Sequence, residues 1–330
     1  MSCPPDPSAS PLPHRRLKRV LVTGAGGFVA RHLVAALEQS CEVFGAGLEA
    51  GSEGRNFPLD VSDREAVRRI VADLRPDTIF HLAGLAFVPD SWLTPEKYLL
   101  INTAGVLNVL EAMRTSVPEA RMVLASSGEV YGYSLESGEP ATEEMPCLPA
   151  SPYAASKLAA DLMAFACFRQ YGTDVVRLRL FNHTGPGQRA DFAFPAFARQ
   201  VALAEAGRQP PVLRTGNLEV DRSFADVRDI VAAYELAATR GRRGACYVLG
   251  SPEVHRLKDL AELLLSMARV PMRLELDEQL VRRADTRRIA CDPSKFMAET
   301  GWRPEIPIRQ TLRDLLEDWR GRVTDTREES

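Results

Sequence analysis

Residues 18–30 read KRVLVTGAGGFVA, and the fold is decided there. The first half, KRVLVT, is a short apolar run rich in β-branched side chains, the pattern of a strand covered on both faces. The second half, TGAGGFVA, sets Gly24 and Gly27 three apart and opens an amphipathic stretch over 28–39 at helical spacing. Glycine permits the tight turn and lets backbone approach a pyrophosphate, which a helix N-terminus then stabilises. The spacing is G-x-x-G-x-x-A, with Gly26 as an extra glycine, and differs from the G-x-G-x-x-G of many dehydrogenases. A strand feeding a glycine turn and a helix is the first unit of a doubly wound nucleotide-binding sheet.

Outward from this unit the same alternation recurs. Strands are predicted at 42–46, 78–82, 121–125 and 174–179, with helices at 63–74, 103–115 and 152–170. This order predicts an α/β fold, a Rossmann-type doubly wound parallel sheet with helices on both faces. Past Leu180 the rhythm breaks, with glycine and proline punctuating 182–188 and 209–216. A smaller, mainly helical substrate domain is therefore expected over 181–223 and 251–320. The dinucleotide-binding domain takes 17–180 and, discontinuously, about 224–250, whose apolar run at 246–249 returns to the main sheet. The Pro- and Ser-rich leader at 1–16 is expected to be disordered, and the polar tail at 321–330 to fray.

The chain has 330 residues, beyond the roughly 250–300 at which one core stops growing. Its net charge of -3 provides no global basic field for nucleic acid or a membrane surface. No apolar run approaches the roughly 20 residues of a membrane span, and the leader lacks the hydrophobic core of a secretory signal. A cytoplasmic protein is expected. The six cysteines contain no C-x-x-C pair, so neither a metal site nor a disulfide framework is expected.

Tyr153 and Lys157 lie four apart in SPYAASKLAADLMAFA (151–166), on one helix face. An ammonium beside a phenol favours the phenolate and lowers its pKa, which suits acid–base chemistry at a carbonyl. Upstream, ASSGEVYG (125–132) puts Ser127 at the carboxyl edge of a strand, where ligands bind in such sheets. Its hydroxyl can bond the same substrate oxygen as the tyrosine. Asp60, in FPLDVSD (57–63), follows a third strand near an adenine position, and also reads as a helix N-cap shared with Ser62 and Asp63. At the end of the second strand stand Gly47 and Leu48, neither an acid for a ribose diol nor a base for a 2′-phosphate. Arg31, just inside the first helix, reads equally as a contact to a 2′-phosphate or as a solvated helix residue, so cofactor preference stays open with a slight lean to NADP(H) over NAD(H).

Together with HLAG (81–84) and NTAGVLN (102–108), these motifs resemble those of the extended short-chain dehydrogenase/reductases, over about residues 17–320. The resemblance implies Ser127, Tyr153 and Lys157 as the catalytic triad, with Glu129 as a further acid. It implies a cofactor site of Gly24, Gly27, Phe28, Val29, Arg31, Asp60 and Val61 towards the adenine and phosphates. Leu82, Ala83, Gly84, Asn102, Tyr153 and Lys157 complete it, with Lys157 on the nicotinamide ribose.

The second domain narrows the resemblance. LFNHTGPGQ (180–188), FPAFARQVA (194–202), GNLEVDRSFADVRD (216–229) and CDPSKFMAETGWRP (291–304) resemble the GDP-4-keto-6-deoxy-D-mannose reductases, which form GDP-D-rhamnose with NAD(P)H. By that likeness Asn182, Arg199, Arg222 and Arg282 contact the nucleotide sugar, an arginine fork binding phosphate oxygens bidentately. Arg283 stands where those enzymes carry a proline. The rival reading is a GDP-mannose 4,6-dehydratase using Glu129. Against it stand TGPGQ, where dehydratases carry an ESPRRG-like loop, and Ser127-Gly128-Glu129, where they carry Thr-Ser-Glu. A UDP- or dTDP-sugar epimerase, decarboxylase or reductase of the same family, or an inactive cofactor-binding scaffold, stays open. Ala155, Leu158, Leu162, Phe165 and Phe168 exceed what one sheet face needs, and with the Asn102 helix they imply a homodimer through a helix pair.

Overall fold

The computed structural model describes residues 15–48, 55–281 and 286–325. Seven parallel strands form its main sheet: β1 (Arg19–Thr23), β2 (Glu42–Gly47), β3 (Asn56–Pro58), β4 (Thr78–His81), β5 (Arg121–Ser127), β6 (Asp174–Leu180) and β7 (Cys246–Leu249). Their order is β7-β6-β5-β4-β1-β2-β3. The chain starts mid-sheet, winds to the β3 edge, and then crosses back to build the other half. The reversal falls between β1 and β4, whose register pairs Leu21 with Ile79. A crevice opens outside the carboxyl ends of strands at such a switch point.

Alternation along each strand feeds two cores. Val20 and Val22 face one side, with Leu33 and Leu37 of α1 (Phe28–Leu37) and Tyr234 of the helix Val227–Arg240. Leu21 faces the other side, with Val67 and Val71 of α2 (Arg64–Leu74), Val109 and Leu110 of α3 (Gly105–Ser116), and Ala160 and Ala164 of α4 (Pro152–Tyr171). Side chains one apart on a strand point to opposite faces, so a continuous apolar run suits a doubly covered sheet.

The smaller lobe packs α5 (Ala193–Glu205) and the helices Leu257–Leu265 and Ile308–Asp325 around Phe194, Leu213, Leu260 and Leu315. It is mixed rather than mainly helical. Asp221–Ser223 pairs with Val254–Arg256 and Arg288–Ile289, and Val212–Thr215 pairs with Arg273–Leu276. These strands are two to four residues long, too short for a periodicity reading to detect.

Three boundaries differ from the sequence reading. A π-helical turn, Leu99–Ala104, occupies the start of the helix expected from 103. Arg15 of the leader belongs to the fold: it donates from its amide to Thr239 O at 3.2 Å and pairs with Asp174 at 3.3 Å. The last helix runs to Asp325, and Val323 on it is buried. Residues 1–14 of the leader, and 326–330, lie outside the described residues.

One charged cluster crosses the apolar interior. Asp161 of α4, fully buried, accepts from Arg177 at 2.5 Å and from Arg179 Nε at 3.2 Å, both on β6. Arg179 also donates to the Tyr131 hydroxyl at 3.1 Å. Burial alone would raise the Asp161 carboxyl, but Arg179 and Arg177 outweigh it and hold it below its ordinary value. Removing one member of such a group strands charge in low dielectric. Asp161→Ala should therefore lower the unfolding free energy by about 3–5 kcal/mol. Urea denaturation checks this, and a loss under about 1 kcal/mol, the range of exposed pairs, would contradict it.

Candidate active site

The glycine turn sits at the switch point. Gly24 has φ +72°, and a Cβ there would stand 2.7 Å from Ala83 N, so a side chain is strained twice over. Gly27 N donates to Gly24 O at 2.8 Å and caps α1 without any side-chain hydrogen bond, which leaves the amides of the first turn directed into the crevice. A Cβ on Gly26 would meet nothing within 4 Å. This open, uncapped cradle fits a pyrophosphate.

On the adenine side, Val61 is buried and packs on Gly105, where an added Cβ would lie 2.8 Å from it. Asp60 is exposed and accepts from Ser62 N and Ser62 Oγ at 2.9 and 2.7 Å, while the N-cap of α2 is Asp63. Arg31 is not turned to the β2 end. Its guanidinium donates to Gly187 O at 3.2 Å, in the loop after β6.

At the carboxyl end of β5 the Tyr, Lys and Ser of the sequence reading converge. The α4 helix is capped by Ser151, whose side chain accepts from Ala154 N, and Pro152 opens its first turn. Lys157 Nζ donates to Ala125 O at 2.9 Å. A Cβ on Gly84 would lie 3.3 Å from Nζ and 2.9 Å from Asn102 Oδ1, so the turn after β4 lies against both. Asn102 accepts from Leu85 N at 2.8 Å and donates to Leu85 O and Ser156 Oγ at 3.1 and 3.0 Å. Ser127 Oγ accepts from Glu129 N at 3.2 Å.

The electrostatics differ from the expectation of a lowered phenol. Burial pushes Tyr153 up to about 12; the hydrogen bond with Ser127 opposes this and the Glu129 charge adds to it. Lys157 is pulled down to about 8 by burial. His81, buried at the end of β4 and bonded through Nδ1 to Thr23 Oγ1 at 2.9 Å, is pushed to about 3 by burial and by Lys157. At neutral pH the site therefore holds a protonated phenol, a lysine that titrates just above, and an uncharged imidazole. Desolvation dominates at the Tyr153 phenol, and i,i+4 spacing alone does not reveal it.

The substrate-side residues are more scattered. Asn182 follows β6 and accepts through its backbone carbonyl from Ala225 N at 3.0 Å. Arg222 is buried on its short strand, with Nη1 2.8 Å from Asp221 O. Arg199 lies on the exposed face of α5, and Arg282 lies outside the described residues. Sequence reasoning missed Tyr98, whose ring meets Tyr153 edge-on with centroids 6.2 Å apart. It also missed His183, stacked on Phe28 at 6.3 Å. The signal for Tyr98 was its place four residues before Asn102. Among the described residues, no group of His, Cys, Asp or Glu could hold a metal.

The family model described as GDP-mannose 4,6 dehydratase matches residues 21–315. The chain belongs to this family. Within it, the chain is 35% identical to the GDP-6-deoxy-D-mannose reductase of Pseudomonas aeruginosa, over 93% of this chain and 99% of that protein. It is 32% identical to the dTDP-glucose 4,6-dehydratase of Mycolicibacterium smegmatis, over 91% and 92%. Among solved structures, RMD from Pseudomonas aeruginosa complexed with NADPH superposes with TM-score 0.83 at 35% identity, covering 92% of this chain and 99% of that one. The UDP-glucose 4-epimerase of Thermus thermophilus in complex with NAD gives 0.81 at 31%, with the same coverage. This family member is an NAD(P)-dependent sugar-nucleotide enzyme of the extended short-chain dehydrogenase/reductase type.

The depressed lysine makes stability depend on pH with a definite sign. Between about 8 and its ordinary value, the unfolded chain binds a proton that the folded site rejects, so folding gains as pH rises through that window. Relative to Lys157→Met, the parent should gain on the order of 3 kcal/mol between about pH 7 and about pH 10.5. Paired denaturation curves measure it. A pH-independent difference would mean that the ammonium is not penalised where it sits.

Proposed function

We propose that the chain reduces the 4-keto group of GDP-4-keto-6-deoxy-D-mannose to give GDP-D-rhamnose, with NADPH favoured over NADH. The observation that carries this reading is the buried Tyr153 phenol hydrogen-bonded with Ser127, in a chain 35% identical to a GDP-6-deoxy-D-mannose reductase over nearly its whole length. Gly24, Gly27, Phe28 and Val29 would hold the pyrophosphate, Asp60, Val61, Leu82 and Ala83 the adenine side, and Gly84, Asn102 and Lys157 the nicotinamide ribose. A reduced nicotinamide bound there supplies the hydride. The sugar carbonyl oxygen, gaining negative charge, accepts a hydrogen bond from Ser127 and the proton from Tyr153. Lys157, charged below about pH 8, stabilises the phenolate left behind. Asn182 and Arg222 would hold the sugar diphosphate. Arg31, which donates to Gly187 O, would have to leave that carbonyl to meet a 2′-phosphate.

A second reading, water elimination from a GDP-hexose, rests on Glu129, whose charge acts on Tyr153 as a second acid–base group. For the dimer, Leu162 and Phe165 of α4 are exposed at 53% and 38%, and Leu99 at 50%, while Leu158 and Phe168 pack into the core. The outward residues suit a helix-pair contact between two copies. A cytoplasmic setting fits the free thiols of Cys41, Cys147, Cys167, Cys246 and Cys291.

The test is single-turnover oxidation of NADPH with saturating keto sugar. The parent should consume cofactor stoichiometrically. Tyr153→Phe should retain both ligands and fall at least about 100-fold in rate, the lower bound for general acid catalysis. Water loss from GDP-mannose without net cofactor consumption would instead select the dehydratase. Light scattering at micromolar concentration checks the dimer.

A further inference from the structure

The turn after β4 is held from two sides by one short segment. Tyr98 donates its hydroxyl to Phe87 O at 2.6 Å, and four residues later Asn102 brackets Leu85 through both its amide and carbonyl. The π-helical turn Leu99–Ala104 begins just after Tyr98 and contains Asn102. Such wide turns are rare and cluster at functional sites. The ring of Tyr98 is 2% exposed and stands edge-on to Tyr153, with an interplanar angle of 87°. Beyond the held turn, Phe87 meets Phe192 edge-on at 6.4 Å, at the N-terminus of α5 in the other lobe. A continuous line of contacts therefore runs from the phenol of Tyr153 through Tyr98 and the Phe87 backbone to the substrate lobe.

We propose that Tyr98 is a positioning residue for Tyr153: its ring sets the direction of the phenol, and its hydroxyl fixes residues 86–88 against Phe192, beyond the Gly84 and Leu85 that Asn102 holds. The proposal rests on the reading of Tyr153 as the proton donor. An edge-to-face pair restrains ring tilt, because the positive edge of one ring seeks the negative face of the other. The hydroxyl-to-carbonyl bond is part-buried, and its loss takes from Phe87 O the donor that holds it. Phe87 O then moves, and with it the ring that reaches Phe192. Orientation of the acid changes while the groups that bind ligands stay in place. Such a defect lowers turnover rather than affinity.

Two variants separate the parts. Tyr98→Phe removes only the bond to Phe87 O; Tyr98→Leu also removes the edge contact. Hydrogen exchange on the ligand-free chain should quicken in residues 86–88 for both variants and stay unchanged in β4 and β5. With the keto sugar and NADPH, kcat should fall about tenfold in Tyr98→Phe and further in Tyr98→Leu, with KM within about twofold of the parent. Unchanged exchange in 86–88, or parental kcat in both variants while Tyr153→Phe is inactive, overturns the inference and leaves the reading of Tyr153 intact. A kcat loss matched by a lowered unfolding midpoint, or by an equal rise in KM, makes Tyr98 merely structural and overturns it too. Parental turnover by Tyr153→Phe overturns both.

Discussion

The carboxylate of Asp161 between the guanidiniums of Arg177 and Arg179 is the constraint on which the site's geometry depends. Helices lie on sheets through apolar contacts, which are non-directional and allow small slides. Charge-assisted hydrogen bonds allow far less, because distance and angle both matter. Asp161 lies one turn after Lys157 on α4, so pinning it to β6 fixes the height of Lys157 and Tyr153 over the sheet. Arg179 extends the restraint to Tyr131, at the end of the 3-10 turn that begins just after Ser127. Three elements that carry separate functional groups are thereby held to one buried anchor.

A second restraint joins the two ends of the cleft. The loop after β6 lies across the start of α1, where His32 Nε2 is 2.8 Å from Pro186 O and Gly187 N donates to Asp318 Oδ2 at 3.0 Å. Arg322 adds a contact to Gln188 O at 3.2 Å. Asp318 and Arg322 sit on the last helix, so the smaller lobe braces the glycine cradle from above. The cofactor side and the substrate side share one loop, and neither can shift alone.

Much of this was legible in the sequence, for reasons that can be named. β1 and the glycine turn are local features, and β7 was visible as an apolar run of the right length. Tyr153, Lys157 and Ser127 were legible because each sits at a fixed offset from a strand end or helix start. The ion cluster was not, because its members are drawn together from α4, β6 and the turn after β5, and no spacing encodes that. The direction of the Tyr153 shift was misread for a similar reason: desolvation depends on what packs around the ring, which is set by the whole lobe. Arg31 read as a free cation near the cofactor, and only the returning loop gives it Gly187 as a partner. Tyr98 escaped notice because a π turn follows it, where helical periodicity is broken.

The late arrival of β7 bears on how the chain is synthesised. Cys246 pairs beside Arg177, yet 69 residues separate them (246 − 177), about 3 to 14 seconds of elongation at ribosomal rates. Until then β6 is the outer strand of a growing sheet, with a row of unpaired amides and carbonyls open to any neighbouring nascent chain. It also carries two arginines whose side chains point inward. Inward charge on an edge strand makes annealing to a foreign strand unfavourable, since the guanidiniums would be buried without a carboxylate. Asp161 has by then emerged from the ribosome and offers them the right partner. The residues that lock the finished interior thus also guard its unfinished edge against the wrong neighbour.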